Sequence, residues 1–201
     1  MIFVITGPSG CGKSTLVNRV LRDVEDIQFS VSHTTRKKRD PEEEGKDYCF
    51  ISKAEFEQMI GEDKLAEWAI VHGYYYGTSR KEIEKKGAQG DLILNIDVQG
   101  AQQMMEKSKK AIFIFVVPPS FQELERRLKK RGDESPDSIK RRLEAAKKEI
   151  RHYPRFDYIV INDQLDDAAM ELKSIILSTR CSLEFRKKEL VPILRSFSED
   201  L

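Results

Sequence analysis

The chain has 201 residues, with 35 Lys and Arg against 34 Asp and Glu and a formal net charge of +1 at pH 7. That length suits one sizeable core, and the near-neutral balance excludes a general nucleic-acid binder that relies on a strongly basic surface. Cys11, Cys49 and Cys181 lack the paired spacing of a disulfide framework or zinc site, no apolar run approaches the roughly 18 residues of a membrane span, and the first strand begins so close to Met1 that the expectation is no signal peptide and a cytoplasmic location.

Ile2-Phe3-Val4-Ile5 reads as a short buried strand. It runs into Gly7-Pro8-Ser9-Gly10-Cys11-Gly12-Lys13-Ser14, which fits the phosphate-loop pattern G-x-x-x-x-G-K-[ST] without mismatch. From Thr15 to Asp23, Leu16, Val17, Val20 and Leu21 follow at helical spacing. Strand, glycine-rich turn and helix are the context this motif needs. Backbone N–H groups converge in the turn, and the helix N-terminus adds positive potential, so the segment forms an anion site. In such a site Lys13 reaches the β- and γ-phosphates of a nucleoside triphosphate and the Ser14 hydroxyl ligates Mg²⁺. Cys11 sits within the loop, near the helix N-terminus. Two readings stand for it: an alkylation-sensitive thiol protected by ATP, or a small filler side chain.

Residues 32–86 depart from this pattern, with a charge run, three adjacent tyrosines and short mixed segments, and read as an inserted α+β subdomain. Further apolar runs at Leu92–Ile96, Ile112–Val117 and Tyr158–Ile161 read as strands covered on both faces. Helical segments alternate with them, which predicts an α/β fold with a parallel sheet and flanking helices. Ser52, Ser79 and Ser120 are each followed three residues later by Glu and fit the capping box. The helix after Ser120 should stop at Gly132, and Ser135-Pro136 should start the next. Residues 124–151 thus form a basic helical pair, read as a mobile flap over the phosphate loop, and one long helix is expected from about Asp166 to Glu189. The tail after about residue 178, including Phe185, Leu190, Val191, Ile193 and Leu194, looks amphipathic, and oligomeric state is not readable. His33, His72 and His152 show no metal spacing.

Phe29 to Arg39 resembles the guanylate kinase signature, and later blocks match that family in order: Gly45 to Phe50, Glu67-Trp68-Ala69, Tyr75 to Thr78, Ile96 to Gly100, Arg131, Arg142 and Ile161-Asn162-Asp163. The resemblance covers roughly residues 1 to 177 and implies a P-loop kinase that moves the γ-phosphate of ATP to GMP, with Mg²⁺ as cofactor and a core (1–31, 87–123 and 152–201), a GMP-binding subdomain (32–86) and a lid (124–151). By resemblance, Arg36, Arg39, Tyr48 and Tyr76 hold the GMP phosphate. Guanidinium forks and hydroxyl donors suit a monophosphate dianion, although a solvated run in which Arg39 pairs with Glu42 to Glu44 has the same composition.

Glu67 would accept guanine N1–H and N2–H₂ together, a donor pair adenine lacks, and Ser32 and Thr78 would complete base recognition near O6. A site built for such bonds rejects ligands without them by roughly 10⁴–10⁵. The family offers Asp97 two roles, guanine contact and organisation of the magnesium site. Asn95 stands where many family members carry an acid. Arg131 and Arg142 would neutralise the transferring phosphoryl group as the lid closes, and Asn162 and Asp163 would border the adenine. The phosphate-loop residues Gly7 to Thr15 would bind ATP. Two other readings share much of this pattern: a non-catalytic guanylate-kinase-like binding module, and a P-loop kinase for another nucleoside monophosphate.

Overall fold

In this computed structural model, which describes residues 1–130 and 135–197, the first half of the chain runs β1 (Ile2–Thr6), α1 (Lys13–Asp23), β2 (Ile27–Phe29), β3 (His33–Thr34), β4 (Cys49–Phe50), α2 (Lys53–Gly61), β5 (Leu65–Val71) and β6 (Tyr74–Ser79). It continues through α3 (Arg80–Gly87), β7 (Asp91–Asn95), α4 (Val98–Lys107), β8 (Ile112–Val117), α5 (Phe121–Lys130) and α6 (Pro136–Glu149). A short 3-10 helix over Ile150–Arg155 leads to β9 (Tyr158–Ile161), α7 (Leu165–Arg180) and α8 (Leu183–Arg195).

The four apolar runs lie in one parallel sheet of order β2-β7-β1-β8-β9. In β1 successive side chains alternate faces: Phe3 and Ile5 meet Leu16, Val17 and Val20 of α1 and Leu172 and Ile176 of α7, whereas Val4 meets the cluster containing Ala101 and Met104 of α4. Fully burying such aliphatic and aromatic side chains stabilises the fold by about 1.5–3 kcal/mol each. Helices on both faces explain why β1, β7 and β8 read as continuous apolar runs; β9 is the edge strand and only its Val160 is buried, so the expectation that it is covered on both faces does not hold. β2 was not among the expected strands: it is three residues long and its middle residue is Gln28, so it lacks the apolar run that marked the others.

A second sheet, order β4-β3-β6-β5, carries the three tyrosines on β6. β5 and β6 form a hairpin whose two turn residues, His72 (φ 51°) and Gly73 (φ 85°), both take the left-handed conformation that a tight hairpin turn requires. β5 is an edge strand, and α4 covers its exposed backbone: Gln103 both accepts from the Trp68 N–H and donates to the Trp68 carbonyl, and Lys107 donates to the Ala66 carbonyl. α5 and α6 pack on each other through a small core of Leu124, Leu128 and Ala146 with Ile139 and Leu143.

Of the three capping boxes expected, only Ser52–Glu55 closes in both directions. Ser79 and Ser120 each accept the N–H of the Glu three residues on. Their Glu side chains are drawn elsewhere, Glu82 to the Val31 N–H and Lys86, and Glu123 to Arg126 and Arg127. Ser135 caps α6 through the Ser138 N–H, with Pro136 in the first turn. The stop expected at Gly132 lies outside the described residues.

The expected helix from Asp166 to Glu189 is two helices. At the break Ser182 takes an extended conformation (ψ 148°), and Arg186 bonds the Arg180 carbonyl left open at the end of α7. α8 has no buried residue. No helix among the described residues is long and apolar enough to cross a membrane.

Candidate active site

The phosphate loop is built at the C-terminal end of β1, between the two strands that flank it, where an open α/β sheet presents its binding crevice. Gly10 is required by close approach as well as by its left-handed φ of 95°: a Cβ there would lie 2.6 Å from Leu128 Cδ2, so the base of α5 packs directly on the loop. Two side chains hold the loop from outside. Asn162 donates to the Cys11 carbonyl at 2.7 Å, and Arg127 donates to the Asn162 carbonyl at 2.8 Å while pairing with Glu123. Lys13 turns onto the loop, donating to the Gly7 carbonyl at 2.7 Å and the Pro8 carbonyl at 3.2 Å. Asn95, at the end of β7, donates to the Ser14 hydroxyl at 3.2 Å.

The loop opens onto a cleft of about 950 Å³. One wall is the phosphate loop with Asn95 and Asp97; the opposite wall is the second sheet and its loops, with Ser32, Arg36, Arg39, Tyr48, Glu67 and Tyr76; Ser138, Arg141, Arg142 and Glu149 of α6 close a third side.

Glu67 is the most unusual group in the cleft. The pairing on β5 slips between Leu65 and Glu67, so Ala66 is an extra residue. A bulge of this kind re-aims side chains, and both Ala66 and Glu67 are buried, Ala66 in the core cluster on α4 and Glu67 in the cleft wall. Glu67 is 2 % exposed, and its Oε1 has no hydrogen-bond partner. Burial pushes its carboxyl up to about 7; hydrogen bonding from Thr78 opposes the shift and the nearby Asp97 reinforces it. Gly100 makes room for this carboxylate, since a Cβ there would stand 2.1 Å from Glu67 Oε2. Thr78, the fully buried partner of Glu67 across the strands, lies with its hydroxyl 3.3 Å from that of Ser32, and of the two only Ser32 is on the cleft wall.

Arg36 is buried and forks onto Glu42, at 2.7 and 3.0 Å, while its Nε donates to the Tyr76 hydroxyl at 3.1 Å. Burial works against its charge, and Glu42 and Tyr76 more than compensate, holding its pKa above the ordinary arginine value. The guanidinium also stacks over the Tyr48 and Phe50 rings at 5.4 and 5.8 Å. The acid beside this loop therefore pairs with Arg36, and Arg39 gives Glu42 only its backbone N–H, leaving its exposed side chain on the cleft wall. Burial raises the Tyr48 phenol pKa, and Tyr76 adds to the shift.

Asp97 caps α4 by accepting the Gly100 N–H at 2.9 Å; burial raises its carboxyl pKa against that bond and the charge of Lys13. Its charge acts on the Glu67 carboxyl and that of Lys13 acts on it. Arg142 is buried on α6 and donates to the Ser9 hydroxyl at 2.9 Å. Arg131 lies outside the described residues.

The structure corrects the thiol reading of Cys11. Its side chain is fully buried in the core with Phe3 and Leu16, so it is a filler, inaccessible to an alkylating reagent in the folded state. Asn162 and Asp163 are not in the cleft wall; the Asn162 amide faces the loop instead. Arg127, Glu149 and Gln103 gave no sequence signal, because each is one of many polar residues on a solvated-looking helix. No group of three or more His, Cys, Asp or Glu able to hold a metal occurs among the described residues.

A phosphate loop at the switch point of a parallel sheet, facing a second sheet with its own phosphate-type arginines across a helix-closed cleft, defines a P-loop kinase architecture for two ligands. Comparison with known proteins agrees. The guanylate kinase family model matches residues 1–179. The guanylate kinase of Geobacter sulfurreducens is 47 % identical over 182 residues, 90 % of each chain. That of Caldanaerobacter subterraneus is 41 % identical over 98 % of this chain and 96 % of its own. The crystal structure of guanylate kinase from Anaplasma phagocytophilum superposes with a TM-score of 0.76 at 33 % identity, covering 90 % of this chain and 87 % of that one. The chain belongs to the guanylate kinase family.

Proposed function

We propose that this protein transfers the terminal phosphoryl group of ATP to GMP, and also to dGMP, giving ADP and GDP. The observation that carries the choice of acceptor is Glu67: a buried carboxylate in the cleft wall with one oxygen left without a hydrogen-bond partner. Guanine brings two adjacent donors to such a group, and adenine brings none in that arrangement. Ser32 and Thr78 add hydroxyls beside it.

The regions 1–31, 87–123 and 152–201 serve as core, 32–86 as the acceptor subdomain and 124–151 as the lid. Arg36, Arg39, Tyr48 and Tyr76 take the GMP phosphate; the Arg36 fork that grips Glu42 has the geometry a phosphate also uses. Gly7 to Thr15 take the ATP phosphates, with Lys13 swinging from the loop carbonyls to the β- and γ-oxygens. Asn162 serves the donor side by holding the loop. An acceptor phosphate oxygen attacks the γ-phosphorus in line; that O–P bond forms as the bond to the β-phosphate oxygen breaks, and ADP leaves. Arg142, and Arg131 by resemblance, stabilise the charge on the transferring group, and closure keeps water out.

The Ser14 hydroxyl, with Asn95 donating to it and Asp97 nearby, offers hard oxygen donors but no full cage, which fits Mg²⁺ carried mainly by the ATP phosphates. Held there by the Ser14 hydroxyl together with the nucleotide, Mg²⁺ would offset the negative charge of the ATP phosphates.

Measuring ADP release with GMP, dGMP, AMP or UMP as acceptor tests the proposal. GMP and dGMP should be turned over, with AMP and UMP lower by at least about 10³ in kcat/KM. Faster transfer to AMP or UMP would overturn the guanine reading, and no transfer to any acceptor would leave a binding module.

A further inference from the structure

Arg142 and Glu149 are seven residues apart on α6, two helical turns, and so share one face of that helix. Both residues meet Ser9 of the phosphate loop. Arg142 donates to the Ser9 hydroxyl at 2.9 Å, and Glu149 accepts the Ser9 N–H at 3.2 Å. Between them Ala146, one turn beyond Arg142, is buried and leaves room for the approach. Glu149 stands on the cleft wall facing Lys13, Asp97 and Arg142, where a carboxylate has no evident part in phosphate binding.

We propose that Glu149 is a positioning residue: with Ser9 it forms a two-point clasp that fixes the register of α6 on the phosphate loop and thereby seats the Arg142 guanidinium over the transferring phosphoryl group. The inference rests on the phosphoryl-transfer reading above and adds a residue to it. One hydrogen bond alone would let α6 pivot about Ser9. Two bonds, to the backbone N–H and the side-chain hydroxyl of one residue, fix both the height and the rotation of the helix. Misplacing a catalytic group by about 1 Å costs on the order of 10² in rate, so the clasp acts on kcat. The acceptor's binding groups are on the opposite wall, so its KM is not affected.

The test is a set of variants assayed with whichever acceptor the wild-type chain uses. Glu149→Ala should lower kcat by about 10- to 100-fold with acceptor KM unchanged. Glu149→Gln keeps an acceptor oxygen for the Ser9 N–H and should restore kcat to within about threefold of wild type. Because Glu149 acts through Arg142, adding Glu149→Ala to Arg142→Ala should cost little more than Arg142→Ala alone. A residue that only stabilises the fold would lower Tm, and its effect would multiply with that of Arg142→Ala. Should Glu149→Ala fail to fold, Glu149→Asp combined with Arg142→Ala gives the same cycle, because the shorter side chain withdraws the acceptor from the Ser9 N–H.

Unchanged kcat in Glu149→Ala, failure of Glu149→Gln to rescue, or multiplicative losses would each overturn the clasp while leaving the proposed function intact. Transfer to an acceptor other than GMP would overturn the guanine reading and leave the clasp to be judged on the same cycle. No transfer by the wild-type chain would overturn both.

Discussion

In the proposed reading Glu67 carries the selectivity, because its environment makes ionisation costly until a ligand compensates. Its pKa in the folded protein, about 7, lies above the ordinary value of 4.5. A carboxyl raised in this way lends stability at low pH that is lost as pH rises from about 4.5 through about 7, up to about 3 kcal/mol. Guanine reverses the balance, since both carboxylate oxygens are needed as acceptors and binding therefore favours the ionised form. GMP affinity should tighten about tenfold between about pH 6 and about pH 8, beyond the change set by the nucleotide's own phosphate. Calorimetric titration of wild type and Glu67→Gln checks this; the extra pH dependence should vanish in the variant, and identical profiles would refute it. The sequence exposed the position of Glu67 through its block but not its isolation. The bulge at Ala66 and the space left by Gly100 come from strand pairing and helix packing between segments distant in the chain. Cys11 shows the same limit in reverse. The phosphate-loop motif placed it near a helix N-terminus, but only packing on Phe3 and Leu16 shows that the thiol is closed off.

At the scale of elements, what was legible followed from local physics. The apolar runs of β1, β7, β8 and β9 and the capped starts of α2, α3, α5 and α6 were marked by their own residues. β2 was not marked, because a three-residue strand paired with β7 draws its stability from its neighbour rather than from its own pattern. The break between α7 and α8 was hidden for a related reason. Cys181-Ser182 carries no Gly or Pro, and the end of α7 is set by tertiary bonds. Arg180 pairs with Asp91 and donates to the Glu25 carbonyl, and Arg186 takes the Arg180 carbonyl. α8 itself contributes no buried residue to the core. Deleting residues from Leu183 onward should therefore lower Tm by less than about 4 °C and leave GMP turnover near wild type. Thermal denaturation and the transfer assay check this, and loss of the folded state would show that α8 is needed for the core.

At the scale of the whole molecule, a near-neutral chain concentrates opposite charges where two phosphates and one base have to meet. Lys13, Arg36, Arg39 and Arg142 line the cleft together with Glu67 and Asp97. The core sheet supplies the phosphate loop, the second sheet supplies Glu67, and α4 joins them through Gln103, Lys107 and Gly100. In the proposed reading, that junction sets the distance between the acceptor's base and the donor through the packing of one helix. On the proposed reading, the buried Glu67 carboxylate chooses the acceptor. The most direct measurement is the ratio of kcat/KM for GMP to that for AMP in wild type and in Glu67→Gln. The ratio should fall by about 10²–10⁴, from the loss of one or two charge-assisted hydrogen bonds, almost all of it through GMP. A ratio unchanged by the substitution would contradict that reading.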